Sequence, residues 1–454
     1  MDAPADAPFG VEIKDIPLQP NRNVDLLFLI DDSPSMGDKQ VRLAAAFPRF
    51  IDELATLQGG VPSVHIAVVT SDLGTRDANG VIAPNIGMLG RGGCAASGKA
   101  GNMQLFGAPV SGALFISDIV QMDGTRRVNY TGALPDAFQQ MAKAGDGGCG
   151  FEQHLEALKQ ALQSGNTANA GFLRPEAYLA VVLVTDEDDC SVRDSLAMFG
   201  PDGGPLGPLQ SFRCTRYGVL CDRNGATPED MNQLGQKERC HPNDDSQYLA
   251  KVSDYVAFLK SLKPEPDSVV VAGIMGTSDP VATELRVPVG QTVAVPALAH
   301  SCMYIDDVGK VEVADPPIRL RWFLDQFPNR NAFVPICNRD LSGALQQIGT
   351  LLKHVIGNAC IEGQLADVDP STAGLQYDCS VSSVVNPNTP QQVKTTLPRC
   401  TPEDATASNK PCWHLGSDPA LCIERDHLML RIEGLDALPT RGHLIASCRV
   451  EPAS

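Results

Sequence analysis

Asp31, Ser33 and Ser35 form a D-x-S-x-S pattern that directly follows an apolar run over residues 24–30. An apolar run of this length, bounded by turn residues, is typical of a strand buried on both faces, and α/β sheets place ligands at the carboxyl ends of such strands. Hard divalent cations such as Mg²⁺ or Ca²⁺ prefer oxygen ligands. Because two hydroxyls and one carboxylate leave such an ion under-neutralised, the pattern predicts a metal that an acidic group from a partner completes.

A second apolar run, over residues 178–185, ends in the four consecutive carboxylates Asp186, Glu187, Asp188 and Asp189. If both runs are neighbouring parallel strands, Asp186 lies at the same sheet edge as the D-x-S-x-S loop. The three acidic residues that follow could hold a second cation and favour calcium over magnesium, or they could form a solvated loop.

These two elements resemble the von Willebrand factor A family, the fold of integrin I domains, whose metal-ion-dependent adhesion site uses the same loop. The resemblance implies that Ser33 and Ser35 contact the metal directly, while Asp31 and Asp186 bind it directly or through water. The family also uses a Thr in a Gly-rich loop before a helix, but the matching residues 147–152 contain no Thr. Glu152 is the expected replacement, and its alternative role is that of a carboxylate at a helix N-terminus.

The resemblance extends beyond the metal loop to secreted or outer-membrane A-domain proteins of myxobacteria, a set that includes a gliding-motility adhesin. The stretches that carry it are residues 148–158, 171–175, 184–190 and 211–214. It implies a fold and an extracytoplasmic location, and it does not identify a ligand.

Other chemistries fit the same residues less well. Asp and Ser after a strand are also ordinary helix N-caps. A haloacid-dehalogenase phosphatase would need a second Asp where Ser33 stands. A subtilisin-like triad of Asp31, His65 and Ser278 has the right order, but His65 falls inside a predicted strand and Ser278 precedes Asp-Pro instead of a helix. We therefore expect no enzymatic activity.

The composition narrows the possible partners. The 454 residues carry a formal charge of −18, which argues against nucleic acid and against docking to anionic lipid. No apolar run approaches the ~18 residues of a membrane span, so any membrane association would need a lipid anchor or a partner. Residues 1–21 begin with an Ala/Pro/Asp-rich stretch, which we interpret as a tether that followed a removed signal segment.

The fourteen cysteines form no C-x-x-C pair, so disulfides are favoured over zinc or iron–sulfur sites. We expect all of them to pair, with Cys94 joined to Cys149 and the six from Cys360 to Cys448 paired among themselves. The full set is Cys94, Cys149, Cys190, Cys214, Cys221, Cys240, Cys302, Cys337, Cys360, Cys379, Cys400, Cys412, Cys422 and Cys448. Such a framework predicts a secreted, periplasmic or outer-membrane-surface protein.

Strand and helix patterns alternate over residues 22–357, which predicts an α/β fold with a doubly wound, mostly parallel sheet. Two long Gly/Pro-rich insertions, at about 71–117 and 190–247, contain cysteines and are expected to be ordered by disulfides. Residues 358–454 change to short Pro-, Asp- and Ser-rich segments and predict a small cysteine-rich β domain.

Two functions remain open from the sequence. The first is a non-catalytic, extracytoplasmic module for adhesion or protein binding that depends on Mg²⁺ or Ca²⁺ and on an acidic group of its protein or surface-polymer ligand. The second is a metal-free structural or scaffold subunit of a cell-surface assembly that binds through its inserted loops.

Overall fold

The structure, a computed structural model, describes most of the chain. The described residues are 10–17, 22–57, 60–264, 268–288, 292–306, 309–356, 359–386, 391–401, 410–419, 422, 426–434, 437–439 and 442–451. They divide into two compact units. The sheet unit comprises Asn23–Glu53 and Pro62–Gly349, and the C-terminal unit comprises the described parts of Met1–Arg22, Leu54–Val61 and Thr350–Ser454.

The regular elements follow in chain order. The strands are β1 Gly10–Pro17, β2 Asn23–Ile30, β3 Ser63–Val69, β4 Ile116–Val120, β5 Arg126–Val128, β6 Tyr178–Val184, β7 Val219–Arg223, β8 Gly235–Pro242, β9 Val269–Met275, β10 Val281–Arg286, β11 Val295–Leu298, β12 Cys302–Ile305, β13 Val311–Ala314, β14 Asn331–Pro335, β15 Cys379–Val385, β16 Val393–Leu397, β17 Cys412–Ser417, β18 Leu428–Glu433 and β19 His443–Val450. The helices are α1 Gly37–Ala55, α2 Leu134–Met141, α3 His154–Leu162, α4 Ser195–Met198, α5 Phe212–Gly218, α6 Pro228–Met231, α7 Val252–Ser261, α8 Ile318–Asp325 and α9 Ser342–Ile356.

A seven-stranded mixed sheet forms the centre of the sheet unit, in the order β14-β9-β6-β2-β3-β4-β5. The first five strands in this order are parallel, whereas β4 and β5 add antiparallel at one edge. Strands β2 and β6 are direct neighbours, with Ile30 opposite Val184. Asp31 and Asp186, which follow these strands, are thereby brought to one edge of the sheet.

Strand β2 packs against helices through both of its faces, because successive side chains of a strand point in opposite directions. Phe28 stacks edge-on against Phe47 and Phe50 of α1, with ring centroids 5.4 and 5.8 Å apart. Leu27 and Leu29 instead belong to a buried cluster with apolar side chains of α3, α7 and α8. The expected α/β class with parallel strands is therefore present, while its finer assignment to a doubly wound A domain remains a proposal.

The second insertion builds a small antiparallel sheet together with a later hairpin, in the order β11-β10-β8-β7. The sequence patterns assigned no strands to residues 276–317, yet β10 to β13 lie there. Of these four strands, β10 pairs with β8 of the distant insertion, a pairing that local periodicity does not record. A buried cluster that includes Cys94, Cys149, Cys190 and Cys214 packs the two insertions around the Gly-rich loop.

The C-terminal unit contains a four-stranded antiparallel sheet, β1-β19-β15-β16, and the hairpin β17-β18. The expectation of a tether over residues 1–21 is wrong for residues 10–17, because this segment forms β1 and pairs along its whole length with β19. Ile16 is buried there, and the buried Lys14 ammonium lies 2.7 Å from the Glu362 carboxylate. The Ala/Pro/Asp stretch that suggested the tether lies outside the described residues.

All fourteen cysteines lie among the described residues, and they pair in seven disulfides. Cys94 is joined to Cys149, the pair expected from the sequence. The six cysteines of the C-terminal unit pair among themselves, as Cys360–Cys422, Cys379–Cys448 and Cys400–Cys412. The remaining disulfides are Cys190–Cys214, Cys221–Cys240 and Cys302–Cys337. Among the described helices, none has the length and apolar character that crossing a membrane requires.

Candidate functional site

Asp31 is fully buried at the end of β2, and its carboxylate organises the D-x-S-x-S loop. The carboxylate accepts hydrogen bonds from the Ser33 backbone N–H at 2.8 Å and from the Thr185 hydroxyl at 2.9 Å. The Ser71 hydroxyl lies 3.4 Å from Asp31 Oδ1, the oxygen that also accepts from the Ser33 N–H. Because these donors contact both carboxylate oxygens, Asp31 holds the D-x-S-x-S loop in shape.

Ser33, Ser35 and Asp186 bring their oxygens together at the mouth of this edge. The Ser33 and Ser35 hydroxyl oxygens are 3.0 Å apart, and Ser35 Oγ lies 3.0 Å from Asp186 Oδ1. An octahedral Mg²⁺ with ligands at about 2.1 Å would place adjacent ligand oxygens about 3.0 Å apart. Ser35 is exposed whereas Ser33 and Asp186 are buried. The Ser35 oxygen thus lies, from each of the other two oxygens, at the distance that adjacent ligands of a hard cation would have, and the exposed Ser35 leaves this edge open to a partner.

Lys39, which the sequence analysis did not single out, already supplies a positive charge here. Its buried ammonium lies 2.8 Å from Asp186 Oδ2 and donates to the Ser35 carbonyl at 3.0 Å. The two oxygens of Asp186 are therefore divided, since Oδ1 contacts the Ser35 hydroxyl and Oδ2 binds Lys39. This ammonium neutralises the carboxylate on which the expected metal would depend most.

The Gly-rich loop is attached to the D-x-S-x-S loop by polar contacts. Gln40 donates to the carbonyls of Asp31 and Gly145 at 2.8 and 2.6 Å and accepts from the Gly145 N–H at 2.8 Å. Gly148 donates to the Asp32 carbonyl at 2.7 Å, and a side chain at this glycine would collide with Asp32. The buried Asp32 carboxylate is itself paired with Lys99. These contacts explain why a glycine is needed in the loop.

Cys149 cannot serve as a metal ligand in the position of the family's Thr, because its sulfur is bonded to Cys94. Glu152, the expected replacement, is 1% exposed, and neither of its carboxylate oxygens has a hydrogen-bond partner among the described residues. It also does not cap α3. The free N–H groups at the start of that helix bind Asp189 Oδ1 and the Ser191 hydroxyl instead. Glu152 is thus an unsatisfied buried carboxylate beside the site.

Asp188 and Asp189 have structural roles that were not anticipated. Asp188 accepts the first N–H groups of α8, from Arg319 and Leu320, at 2.9 to 3.1 Å. Asp189 caps α3 and binds the fully buried guanidinium of Arg319 at 3.1 Å. Asp186 is paired with Lys39, and Glu187 is the member of the acidic run that neither caps a helix nor pairs with Lys39 or Arg319 among the contacts of described residues. Across the part of the chain that the structure describes, no three His, Cys, Asp or Glu side chains form a metal-ligand group.

Burial makes these carboxylates difficult to ionise. It raises the pKa of Asp31, and together with the Asp31 charge it raises the pKa of Asp186 to about 6, although Lys39 opposes the shift. Burial raises the pKa of Glu152 well above its usual range, and the neighbouring Glu187 carboxylate raises it further. Burial also raises the pKa of Glu187 well above its usual range, and the Asp315 carboxylate raises it further. A cation bound at this edge would favour the ionised forms.

The structure does not bring the residues of the protease-like triad together. His65 lies in β3 opposite Asp25, not Asp31, and its Nδ1 is 2.8 Å from the Phe172 carbonyl oxygen. It is a buried residue of the sheet core.

Sequence reasoning overlooked Lys39, Lys99, Thr185 and Arg319. A signal existed for Lys39, because a lysine four residues after Ser35 lies one turn along the first helix and can reach back to its start. Thr185 also had a local signal, since it ends the β6 run immediately before Asp186. Lys99 and Arg319 come from distant segments and had none.

No family model and no curated protein matches this sequence. Among solved structures, the pilus adhesin RrgA from Streptococcus pneumoniae is similar at 11% identity and a TM-score of 0.28, and covers 97% of this chain. The chain spans 58% of the length of that adhesin. The adhesive tip pilin GBS104 from Group B Streptococcus agalactiae gives 11% identity and a TM-score of 0.29, with coverage of 98% of this chain and 81% of that one. These similarities are too low to support an argument about fold or function.

Proposed function

We propose that this chain is an extracytoplasmic, non-catalytic binding module of the von Willebrand factor A type that engages its ligand through Mg²⁺ or Ca²⁺. The observation that carries the proposal is the meeting of Ser33, Ser35 and Asp186, with oxygen spacings of 3.0 Å and one open side. Residues from two neighbouring strand ends supply these oxygens, so the arrangement is a product of the fold.

The proposed roles follow from the contacts of each side chain. Ser33 and Ser35 would provide neutral oxygen ligands, and Asp186 would provide the principal negative charge. Asp31 would orient the loop through its bonds to the Ser33 N–H and the Thr185 hydroxyl. A divalent cation held mainly by neutral oxygens retains affinity for a carboxylate offered by a ligand.

The disulfides support the proposed location. Seven disulfides in one chain are typical of proteins that fold in an oxidising compartment. Two of them, Cys94–Cys149 and Cys190–Cys214, fasten the insertions beside the site. Outside the cytoplasm these two disulfides would stay oxidised, and they would keep this edge of the sheet ordered without metal.

The metal-free scaffold is the second candidate, and a specific contact favours it. Lys39 places its ammonium 2.8 Å from Asp186 and could replace the cation permanently. In that case the edge would be a structural ion pair, and binding would use the insertions.

Calorimetric titration with Mg²⁺ and with Ca²⁺ distinguishes the two candidates. We expect saturable binding to the wild-type protein, weakened at least tenfold by Ser33→Ala and by Asp186→Asn, with unchanged near-ultraviolet circular dichroism. Ser261→Ala and Asp254→Asn are matched controls, because both residues are exposed on α7. An absence of heat for the wild-type protein with either ion, over millimolar concentrations, would exclude the metal-dependent function.

A further inference from the structure

A cavity of about 180 Å³ opens beside the D-x-S-x-S loop. Its lining includes Ser35, Asp186, residues of the second insertion, and residues of the hairpins β10-β11 and β12-β13. The residues that determine its character are Glu152, Glu187, Asp315, Phe212, Leu298 and Val313. At about 30 Å³ for each water molecule, the cavity could hold about six waters or one extended side chain.

The acidic side chains that line this cavity are only partly paired with basic groups. Asp186 is paired with Lys39, and Asp315 accepts from His300 Nδ1 at 2.6 Å. Arg286 lines the cavity too, but its guanidinium binds Glu284 and the Leu298 carbonyl. Glu152 therefore stands out, because both of its buried oxygens lack a hydrogen-bond partner.

An unsatisfied buried carboxylate costs free energy unless a ligand binds it, so the cavity is suited to a positively charged group. A metal ion would want several oxygen ligands around one point, and the described residues do not provide three acidic or histidine ligands in that arrangement. The lining also includes the apolar side chains of Phe212, Leu298 and Val313. Apolar side chains give nothing to a metal ion but pack well against the aliphatic part of a lysine or arginine side chain.

The rim of the cavity favours a protein as the source of that side chain. Val313 pairs with Met303 in β12-β13, and Val311 pairs with Ile305, so the four side chains share one face of the hairpin. Met303, Ile305 and Val311 are 64, 57 and 53% exposed. An acidic cavity beside the exposed apolar face of the β12-β13 hairpin matches a basic residue within an apolar protein surface.

We propose that this cavity is a recognition pocket for a lysine or arginine side chain of a protein partner, with Glu152 and Glu187 as the groups that bind its charge. The basic side chain enters past the apolar rim, its aliphatic part lies against Phe212 and Leu298, and its cationic end meets the two carboxylates. The site does not require the metal, although its position next to Ser35 would allow one partner to use both.

The test uses two short peptides in buffer with EDTA, so that its outcome does not depend on metal binding. The probes are acetyl-Gly-Lys-Gly-amide and the same peptide with norleucine, which keeps the aliphatic chain and lacks the charge. Binding to the full chain is measured by saturation-transfer difference NMR. We expect the lysine peptide to bind, the norleucine peptide to bind at least tenfold more weakly, and Glu152→Gln and Glu187→Gln to weaken the lysine peptide at least tenfold.

Glu229→Gln serves as the control, because Glu229 is an exposed residue on α6 in the second insertion. Thermal melting of each variant shows whether it folds, and Glu→Gln keeps the side-chain volume. The proposal is overturned if the norleucine peptide binds as well as the lysine peptide, or if neither binds. A calcium site at Glu152 would also overturn the proposal. In that case Ca²⁺ binds the wild-type protein, Glu152→Gln abolishes this binding, and the lysine peptide does not compete with Ca²⁺. Loss of Mg²⁺ binding in Ser33→Ala tests the metal-dependent function separately.

Discussion

Removing the charge of Lys39 tests whether its ammonium holds the place of a metal. The ion pair between Lys39 and Asp186 is short, at 2.8 Å, and both side chains are at most 3% exposed. Breaking a buried pair by removing one partner typically costs 3–5 kcal/mol, an approximate range. Because Asp186 can take up a proton when it loses Lys39, the lower end applies, and we expect Lys39→Met to destabilise the protein by about 3 kcal/mol in EDTA.

Mg²⁺ should reverse this loss. A ligand at a hundredfold excess over its Kd stabilises the folded state by about 2.7 kcal/mol, nearly the amount that Lys39→Met removes. We also expect Lys39→Met to bind Mg²⁺ at least tenfold more tightly than wild-type protein, because the full charge of Asp186 becomes available to the ion. Urea denaturation with and without Mg²⁺ measures the first effect and calorimetry measures the second.

The control is Lys143→Met, an exposed lysine whose ammonium donates only to Gln140 among the contacts of described residues. It should change neither stability nor Mg²⁺ affinity. If Lys39→Met is destabilised in EDTA and Mg²⁺ neither restores it nor binds more tightly, Lys39 is a structural ion pair. The metal-free scaffold would then be favoured.

Three further predictions concern the framework of the site. Arg319→Leu should destabilise the protein by about 3–5 kcal/mol in urea denaturation, because it leaves the buried Asp189 carboxylate unpaired, and an effect below about 1 kcal/mol would contradict this. Replacing Cys94 and Cys149 together by Ala should lower the free energy of unfolding by about 4 kcal/mol, because the disulfide closes a sequence separation of 55 residues. Differential scanning calorimetry of the variant and the wild-type protein measures this loss. Burial lowers the pKa of His65, so as the pH falls below about 6.5 the unfolded state takes up a proton on this residue before the folded state does. The free energy of unfolding should therefore decline from pH 7 to pH 5 more steeply in wild-type protein than in His65→Gln. Equal slopes would show that His65 does not contribute.

The two proposed ligand sites differ in what they would ask of a partner. The D-x-S-x-S edge would take a carboxylate through a metal, whereas the cavity behind it would take a basic side chain directly. Since both open at Ser35, a partner surface with neighbouring acidic and basic residues would satisfy both. Opposite charges placed in this order would fix the orientation of the partner more strongly than either contact alone.

The sequence by itself determined the features that depend on local pattern. The apolar runs before Asp31 and Asp186 are long enough to predict buried strands, and β2 and β6 occupy them. The alternation of strand and helix patterns over residues 22–357 also predicted the α/β class, because the apolar spacing changes between the two kinds of element. The even number of cysteines without C-x-x-C pairs was sufficient to expect disulfides.

Only the tertiary structure decided how distant residues divide the charge at this edge. The acidic run spans four consecutive positions, yet its members have different partners. Lys39 binds Asp186, the start of α8 binds Asp188, and the Arg319 guanidinium binds Asp189. Which carboxylates are paired with a basic side chain or a helix start depends on where α1 and α8 arrive, and no local periodicity encodes that. The same reason explains β1, because its pairing with β19 joins residues more than 400 positions apart in the chain.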